Sequence, residues 1–252
     1  MSKRALLIWG GPVFADTPSK VRWPEGWTVD VIPVTGNGSS YFGQLANSYR
    51  GPDGRILRNL VAAKGKDLAN YDKVMLAGFS AFHGLANEVL KADTDLVDAM
   101  VSLDSCFSGI TAPRKEGYAR FGDKAARGSA LFLLTIGPGG GVGSGATLGP
   151  GGVDFSSAYD CVMASVGGHW LRDFDPAPGV AAPQSAKRSG DLVVLDYRDK
   201  RHDQHINDLG VPLMQAYLVP WLAGSDGLNM NDLMVGGFML ACAGAIAWAA
   251  WG

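Results

Sequence analysis

The stretch 73–86, KVMLAGFSAFHGLA, decides the fold of this chain. It begins with a short apolar run that ends at Gly78, which predicts a buried strand. Beyond it, Phe82 and Leu85 begin a series of apolar residues at helical spacing, which predicts a helix. Ser80 therefore lies in the tight turn between strand and helix. That turn places its hydroxyl at the end of a sheet and beside a helix N-terminus.

Similar apolar runs recur along the rest of the chain. Strands are predicted at 5–9, 28–34, 97–103, 130–136 and 191–197. Helices are predicted at 55–70, from Ser80 to about Lys91, at 156–171 and at 208–222, and loops at 36–54 and 173–189. This alternation predicts an α/β fold with a mostly parallel sheet and helices on both faces. Pro33 places the strand 28–34 at an edge of the sheet or at a strand end.

Length and composition indicate one sizeable globular domain. The chain has 252 residues, of which 47% are hydrophobic and 18% charged, with a formal net charge of −2. We assign the domain to 1–224, followed by a linker and a hydrophobic helix in 225–252.

The near-neutral charge predicts no basic face and so argues against nucleic acid as the main partner. Cys106, Cys161 and Cys242 form neither a disulfide framework nor a C-x-x-C pair, which favours a reducing, cytoplasmic compartment.

The residues around Ser80 carry a family resemblance. Residues 78–81, Gly-Phe-Ser-Ala, fit the first four positions of the nucleophile elbow G-x-S-x-G, so the chain resembles the α/β-hydrolase superfamily here. Phe82 stands where the motif has its second glycine, which requires a wider elbow. The resemblance implies a serine esterase or thioesterase in which Ser80 attacks a small or lipid-like acyl substrate without a cofactor. The simpler structural interpretation is that Ser80 only caps the helix.

The resemblance also implies an acid and a histidine base, which follow the serine in that order. Asp104 ends the strand after that of Ser80, a position in which several thioesterases of the superfamily keep their acid. Most members keep it one strand later, where this chain has Gly137. His202 and His205 follow the last strand, where the base of the superfamily lies. The loop that begins at His205 resembles the family's histidine loop, so His205 is favoured and His202 is the close alternative.

Two backbone N–H groups complete the site that the resemblance implies. Ala81 follows the nucleophile directly, and Gly11 lies in the glycine turn after the first strand, where Val13 is the alternative. The superfamily takes its oxyanion donors from these two places. Pro12 has no N–H and is excluded as a donor. An ordinary glycine turn is the structural alternative at Gly11.

A second family resemblance competes with the first. Residues 103–109, LDSCFSG, resemble the D-x-C-x-S-G motif of caspase-like peptidases, and residues 82–84 resemble their His-Gly motif. In that family Cys106 would be the nucleophile and His83 its base.

A third possibility is a catalytically silent hydrolase fold that serves as a structural subunit at a membrane. The histidines around position 203 lack the spacing of a recognised metal site, so no metal is expected.

The C-terminal region suggests a membrane anchor. Residues 233–251, LMVGGFMLACAGAIAWAAW, include no charged side chain over 19 positions. At ~1.5 Å per residue, a helix of this length nearly spans a bilayer core. Its small residues, together with Trp248 and Trp251 near the end, are typical of packed membrane helices and aromatic belts. We expect a membrane-associated but otherwise cytoplasmic protein. The alternatives are a helix packed on the sheet or one swapped into a partner subunit of a homo-oligomer.

Overall fold

The computed structural model describes residues 2–11, 16–36, 38–105, 112–137 and 171–224. The strands within these ranges are β1 (Lys3–Gly10), β2 (Trp27–Val34), β3 (Lys73–Phe79), β4 (Ala99–Leu103), β5 (Leu131–Ile136), β6 (Arg172–Asp173), β7 (Ser185–Ser189) and β8 (Leu192–Asp196). They form one sheet in the order β2-β1-β3-β4-β5-β8-β7-β6. The first six in that order are parallel, whereas β7 and β6 are antiparallel to their neighbours.

Helices connect and cover these strands. The α-helices in the described ranges are α1 (Thr17–Lys20), α2 (Ser39–Ser48), α3 (Leu57–Ala62), α4 (His83–Asp93), α5 (Ala112–Ala126), α6 (Gln204–Asn207), α7 (Gly210–Leu213) and α8 (Val219–Leu222). Short 3₁₀ turns occupy Leu68–Asn70 and Ser80–Phe82. A π-helical segment, Met214–Leu218, joins α7 to α8.

Each face of the sheet carries its own hydrophobic core, because successive side chains of a strand point to opposite faces. Leu6 and Ile8 of β1 belong to the core that α2, α3, α4 and α5 cover. Leu7 belongs to the opposite core, where Met214 and Leu218 from the segment between α7 and α8 pack. The predicted α/β fold, with a mostly parallel sheet covered by helices on both faces, is confirmed.

The order of the strands reverses direction at β1. The chain passes from β1 to β2 on one side of it and then returns to place β3 on its other side. In open α/β sheets, ligands bind outside the carboxyl ends of the strands at such a switch point. Gly11 and Ser80 immediately follow β1 and β3, so both lie at this point.

Several elements differ from the sequence prediction. Residues 36–54, expected as a loop, contain α2, whose Phe42 and Ala46 are buried one helical turn apart. The predicted helix 55–70 ends at Ala62, because Gly65 adopts a positive φ of 70° and turns the chain. The predicted loop 173–189 contains β7, in which only Ala186 is buried, so its sequence lacks the apolar alternation of a typical strand.

The two edges of the sheet differ from its centre. β2 forms one edge and contains Pro33, which confirms the predicted edge position. β6 forms the other edge and consists of only Arg172 and Asp173, both exposed.

Within the described ranges, no helix is both long enough and apolar enough to cross a bilayer. The predicted anchor at 233–251 and its linker lie outside the described residues, and so does almost all of the predicted helix 156–171.

Candidate active site

The turn after β3 holds Ser80 in an unusual backbone conformation. Ser80 has a φ of 55° and Asp104, directly after β4, has a φ of 42°. In the part of the chain that the structure describes, these are the only non-glycine residues with positive φ. The left-handed region costs an L-residue about 1–2 kcal/mol. Such strain clusters at functional sites, and here it falls on the two residues expected to be nucleophile and acid.

Two glycines make room for Phe82 in the elbow. A Cβ at Gly10 would lie 1.7 Å from Cδ2 of Phe82, and a Cβ at Gly78 would lie 2.0 Å from its Cδ1. The ring is fully buried and packs edge-to-face on Phe42 of α2, with ring centroids 5.8 Å apart. Phe82 stands where the motif has its second glycine. Because Gly10 and Gly78 have no side chains, the ends of β1 and β3 leave room for its ring.

The side chains of Asp104 and His202 are in close contact at the carboxyl ends of the strands. Oδ2 of Asp104 lies 2.6 Å from Nδ1 of His202. The Asp104 side chain is 2% exposed and that of His202 is 25% exposed, so the acid is buried and the ring reaches the surface. With Nδ1 donating to the carboxylate, the neutral ring carries its lone pair on Nε2.

Phe79 links the elbow to this pair. It is the last residue of β3 and precedes Ser80. Its ring stacks on the His202 ring, with centroids 4.4 Å apart and an interplanar angle of 30°. The residue before the strained serine thus supports the imidazole that contacts Asp104.

His205 occupies a different environment. Its side chain is fully buried, and Nδ1 lies 3.0 Å from Oγ1 of Thr135 in β5. Burial lowers the pKa of His205 below its usual range, against the opposing effect of the Asp104 charge. The carboxylate of Asp104 therefore contacts His202, the alternative base, whereas His205 contacts Thr135. The reason is local, since α6 begins at Gln204 and carries His205 into the core, whereas His202 lies in the turn before it. Which histidine acts as the base stays a prediction.

The two expected oxyanion donors lie at the switch point. Gly11 follows β1 and is buried, and Ala81 lies within the 3₁₀ turn after β3. The first N–H groups of a helical segment have no acceptor inside that segment, so Ala81 can direct its N–H toward a ligand. The oxyanion roles of Gly11 and Ala81 stay predictions.

The structure describes one of the two residues of the competing cysteine site. His83 begins α4, is 5% exposed, and its Nδ1 lies 3.1 Å from the backbone oxygen of Ser80. Cys106 lies outside the described residues. The pairing of Cys106 with His83 stays a prediction.

Sequence reasoning missed three residues that shape this site: Phe79, Thr135 and Gly137. Thr135 accepts a hydrogen bond from the backbone N–H of Asp104 at 2.8 Å. It is the one polar residue in the otherwise apolar strand β5, and a polar residue at the carboxyl end of a buried strand was the available signal. Gly137 and Phe79 act through shape and carry no such signal.

No protein-family model matches the chain, and no curated protein matches it either. Among the described residues, no group of three or more His, Cys, Asp and Glu side chains is arranged to hold a metal ion. Function is therefore inferred from the geometry and chemistry of the site itself.

Proposed function

We propose that this protein is a serine hydrolase of the α/β-hydrolase type, which cleaves an ester or thioester through an acyl-enzyme. One observation carries the proposal: among the described residues, the two non-glycine residues with positive φ are Ser80 and Asp104, and Asp104 holds His202 by a 2.6 Å hydrogen bond. The chain order of serine, acid and histidine agrees with that of the superfamily.

The proposed reaction begins with proton transfer. Nε2 of His202 takes the proton of the Ser80 hydroxyl as Oγ attacks the acyl carbon. Asp104 keeps Nδ1 protonated and stabilises the imidazolium that forms. The backbone N–H groups of Gly11 and Ala81 stabilise the negative oxygen of the tetrahedral intermediate.

The second half of the reaction regenerates the serine. When the intermediate collapses, the C–O or C–S bond to the leaving group breaks and His202 returns the proton to the departing alcohol or thiol. Water then attacks the acyl carbon with His202 as base. The carboxylic acid is released, and the hydroxyl of Ser80 is regenerated. No cofactor takes part in these steps.

Burial supports these roles. Ser80 is half-buried and His202 is partly exposed, so a substrate can approach both from the crevice at the switch point. Asp104 is excluded from water, which strengthens its interaction with the imidazole.

A fluorophosphonate tests the proposal directly, because it reacts covalently with an activated serine. We expect the full-length protein to be labelled, and Ser80→Ala and His202→Ala to lose the label. Ser48→Ala, an exposed serine of α2, is the matched control and should keep it. An unlabelled wild-type protein contradicts the proposal, as does labelling that survives Ser80→Ala. Modification by a thiol alkylator that disappears in Cys106→Ala, without fluorophosphonate labelling, would instead favour the cysteine peptidase.

We further propose that the hydrolase works at a membrane, on a small or lipid-like acyl substrate. The uncharged stretch 233–251 is the support for this proposal. We expect the full chain to need detergent for extraction and a chain truncated after Gly224 to be recovered without it. Recovery of the full chain from a membrane-free lysate without detergent contradicts the anchor and leaves the serine chemistry to be judged separately.

A further inference from the structure

We propose that Thr135 and His205 are positioning residues, which hold Asp104 in the strained conformation from which its carboxylate reaches His202. This inference rests on the proposed function for its catalytic meaning. Neither positioning residue is assigned a contact with the substrate.

The hydroxyl of Thr135 is the centre of a buried hydrogen-bond cluster. Its Oγ1 lies 2.8 Å from the backbone nitrogen of Asp104, 3.0 Å from Nδ1 of His205 and 3.4 Å from the backbone oxygen of Ser102. All four residues are buried. Buried polar groups without partners are costly, so the protons in this cluster can be assigned by counting donors and acceptors.

In one assignment every N–H and O–H group of the cluster has an acceptor. Thr135 Oγ1 accepts from the Asp104 N–H and from a proton on Nδ1 of His205, and its own proton points to the oxygen of Ser102. The remaining atom, Nε2 of His205, has no hydrogen-bond partner and carries only a lone pair. The opposite tautomer would bury an unpaired N–H at Nε2, a cost of about 1–3 kcal/mol. His205 is therefore the neutral tautomer with its proton on Nδ1.

This cluster fixes the backbone where it is strained. Thr135 of β5 holds the N–H of Asp104, and the hydroxyl of the next residue, Ser105, lies 3.1 Å from the backbone oxygen of Gly78 in β3. The backbone N–H of Asp104 is thus held from β5, and the side chain of the residue that follows it is held from β3. His205 in turn fixes the rotamer of Thr135, because its Nδ1–H approaches Oγ1 from the core.

The first test removes the hydroxyl while keeping the shape. Thr135→Val leaves the N–H groups of Asp104 and His205 without an acceptor, whereas Thr135→Ser retains the oxygen. We expect Thr135→Val to lower the second-order rate of fluorophosphonate labelling by about 10²-fold, the scale of a 1 Å misplacement, and Thr135→Ser to restore most of it. An unchanged rate in Thr135→Val overturns the proposal.

The second test is independent of any activity. We expect ¹⁵N-histidine NMR of the wild-type protein to show His205 neutral with its proton on Nδ1, and the Nδ1–H resonance of His202 to shift in Thr135→Val but not in Thr135→Ser. A proton on Nε2 of His205, or a His202 resonance unchanged in Thr135→Val, overturns the proposal. If the wild type fails to react with fluorophosphonate, the proposed function falls while this test still decides the cluster.

A second pair of variants covers the case in which Thr135→Val does not fold. His205→Asn keeps an N–H donor near the position of Nδ1, and His205→Leu removes it. We expect the His202 resonance and the labelling rate to stay near wild type in His205→Asn and to change in His205→Leu. Equal behaviour of these two variants counts against the positioning role.

Discussion

The carboxylate of Asp104 occupies the space that a side chain at residue 137 would need. A Cβ built on Gly137 would lie 2.2 Å from both Cγ and Oδ2 of Asp104. The two residues directly follow the neighbouring parallel strands β4 and β5. In the superfamily that the sequence resembles, most members keep the acid at the strand end that Gly137 follows here. The glycine at one strand end thus makes room for the acid at the other.

Gly137→Ala is expected to displace the Asp104 carboxylate and break its contact with His202. The labelling rate with fluorophosphonate should fall by about 10²-fold, because a displacement of about 1 Å has effects of that size. Gly43→Ala in α2 is the matched control, since a Cβ there meets nothing within 4 Å. A Gly137→Ala protein that is labelled as fast as Gly43→Ala would contradict the assignment of Asp104 as the acid.

Gly10 and Phe82 should behave as a suppressor pair. We expect Gly10→Ala to destabilise the fold by overpacking and Phe82→Ala to cost about 3–5 kcal/mol by leaving a cavity. The double variant should cost less than the sum by about 1–3 kcal/mol, because removing the ring removes the clash. Urea unfolding of the four proteins measures this coupling.

Gly78 provides the comparison for that cycle. Its Cβ would meet the Phe82 ring and also approach the backbone oxygen of Gly10 to 2.7 Å. Phe82→Ala cannot relieve the backbone contact, so we expect a smaller recovery for Gly78→Ala than for Gly10→Ala. An absence of coupling in the Gly10 cycle would show that Phe82 does not cause the clash there, and equal coupling in the two cycles would show that the backbone contact at Gly78 has no cost.

Strain at Ser80 predicts a conflict between stability and activity. Ser80 has a φ of 55°. Glycine adopts this left-handed conformation without strain, so Ser80→Gly relieves the strain, whereas Ser80→Ala retains it. We expect both variants to lose labelling, and Ser80→Gly to have a free energy of unfolding about 1 kcal/mol above that of Ser80→Ala. Urea denaturation checks the difference, and equal stabilities would indicate that the elbow is not strained.

His205 should make the protein sensitive to acid. Its pKa in the folded protein lies below the ordinary value of 6.5 because the ring is buried. Below about pH 6.5 the unfolded chain binds a proton that the folded chain does not, so the free energy of unfolding falls with falling pH. The slope from one such group is at most about 1.4 kcal/mol per pH unit, until the folded pKa is reached.

The measurement is urea unfolding at a series of pH values for wild type and His205→Asn. We expect the two stability profiles to be parallel above about pH 7. Below pH 6.5, the ordinary value from which burial lowers the pKa of His205, the wild type should fall more steeply. Parallel profiles throughout would show that His205 takes up its proton equally in both states.

The apolar runs predicted the parallel strands, because a buried strand is a continuous run of apolar residues in the sequence. α2 escaped prediction because glycines and polar residues surround the few that pack, Phe42 and Ala46 among them. β7 escaped because it lies near an edge and buries a single side chain. Local pattern therefore suffices for the centre of the sheet and fails at its periphery.

In the candidate site, too, the sequence located only those residues that a local pattern marks. Ser80 and Asp104 could be located because each directly follows a predicted strand. The partner of Asp104 could not be chosen, since His202 and His205 are three residues apart and only the start of α6 decides which one points into the core. The role of Gly137 follows from its closeness to Asp104 on the neighbouring strand, and no local sequence pattern shows this contact.

The composition of the two outermost strands has a consequence for the protein in concentrated solution. Pro33 interrupts the outer row of donors on β2, and the opposite border offers only two charged residues, Arg172 and Asp173. β6 is too short to provide a long run of unpaired backbone groups, and Pro33 removes one donor from the eight residues of β2. The described sheet thereby resists intermolecular β-pairing and the aggregation that such pairing starts.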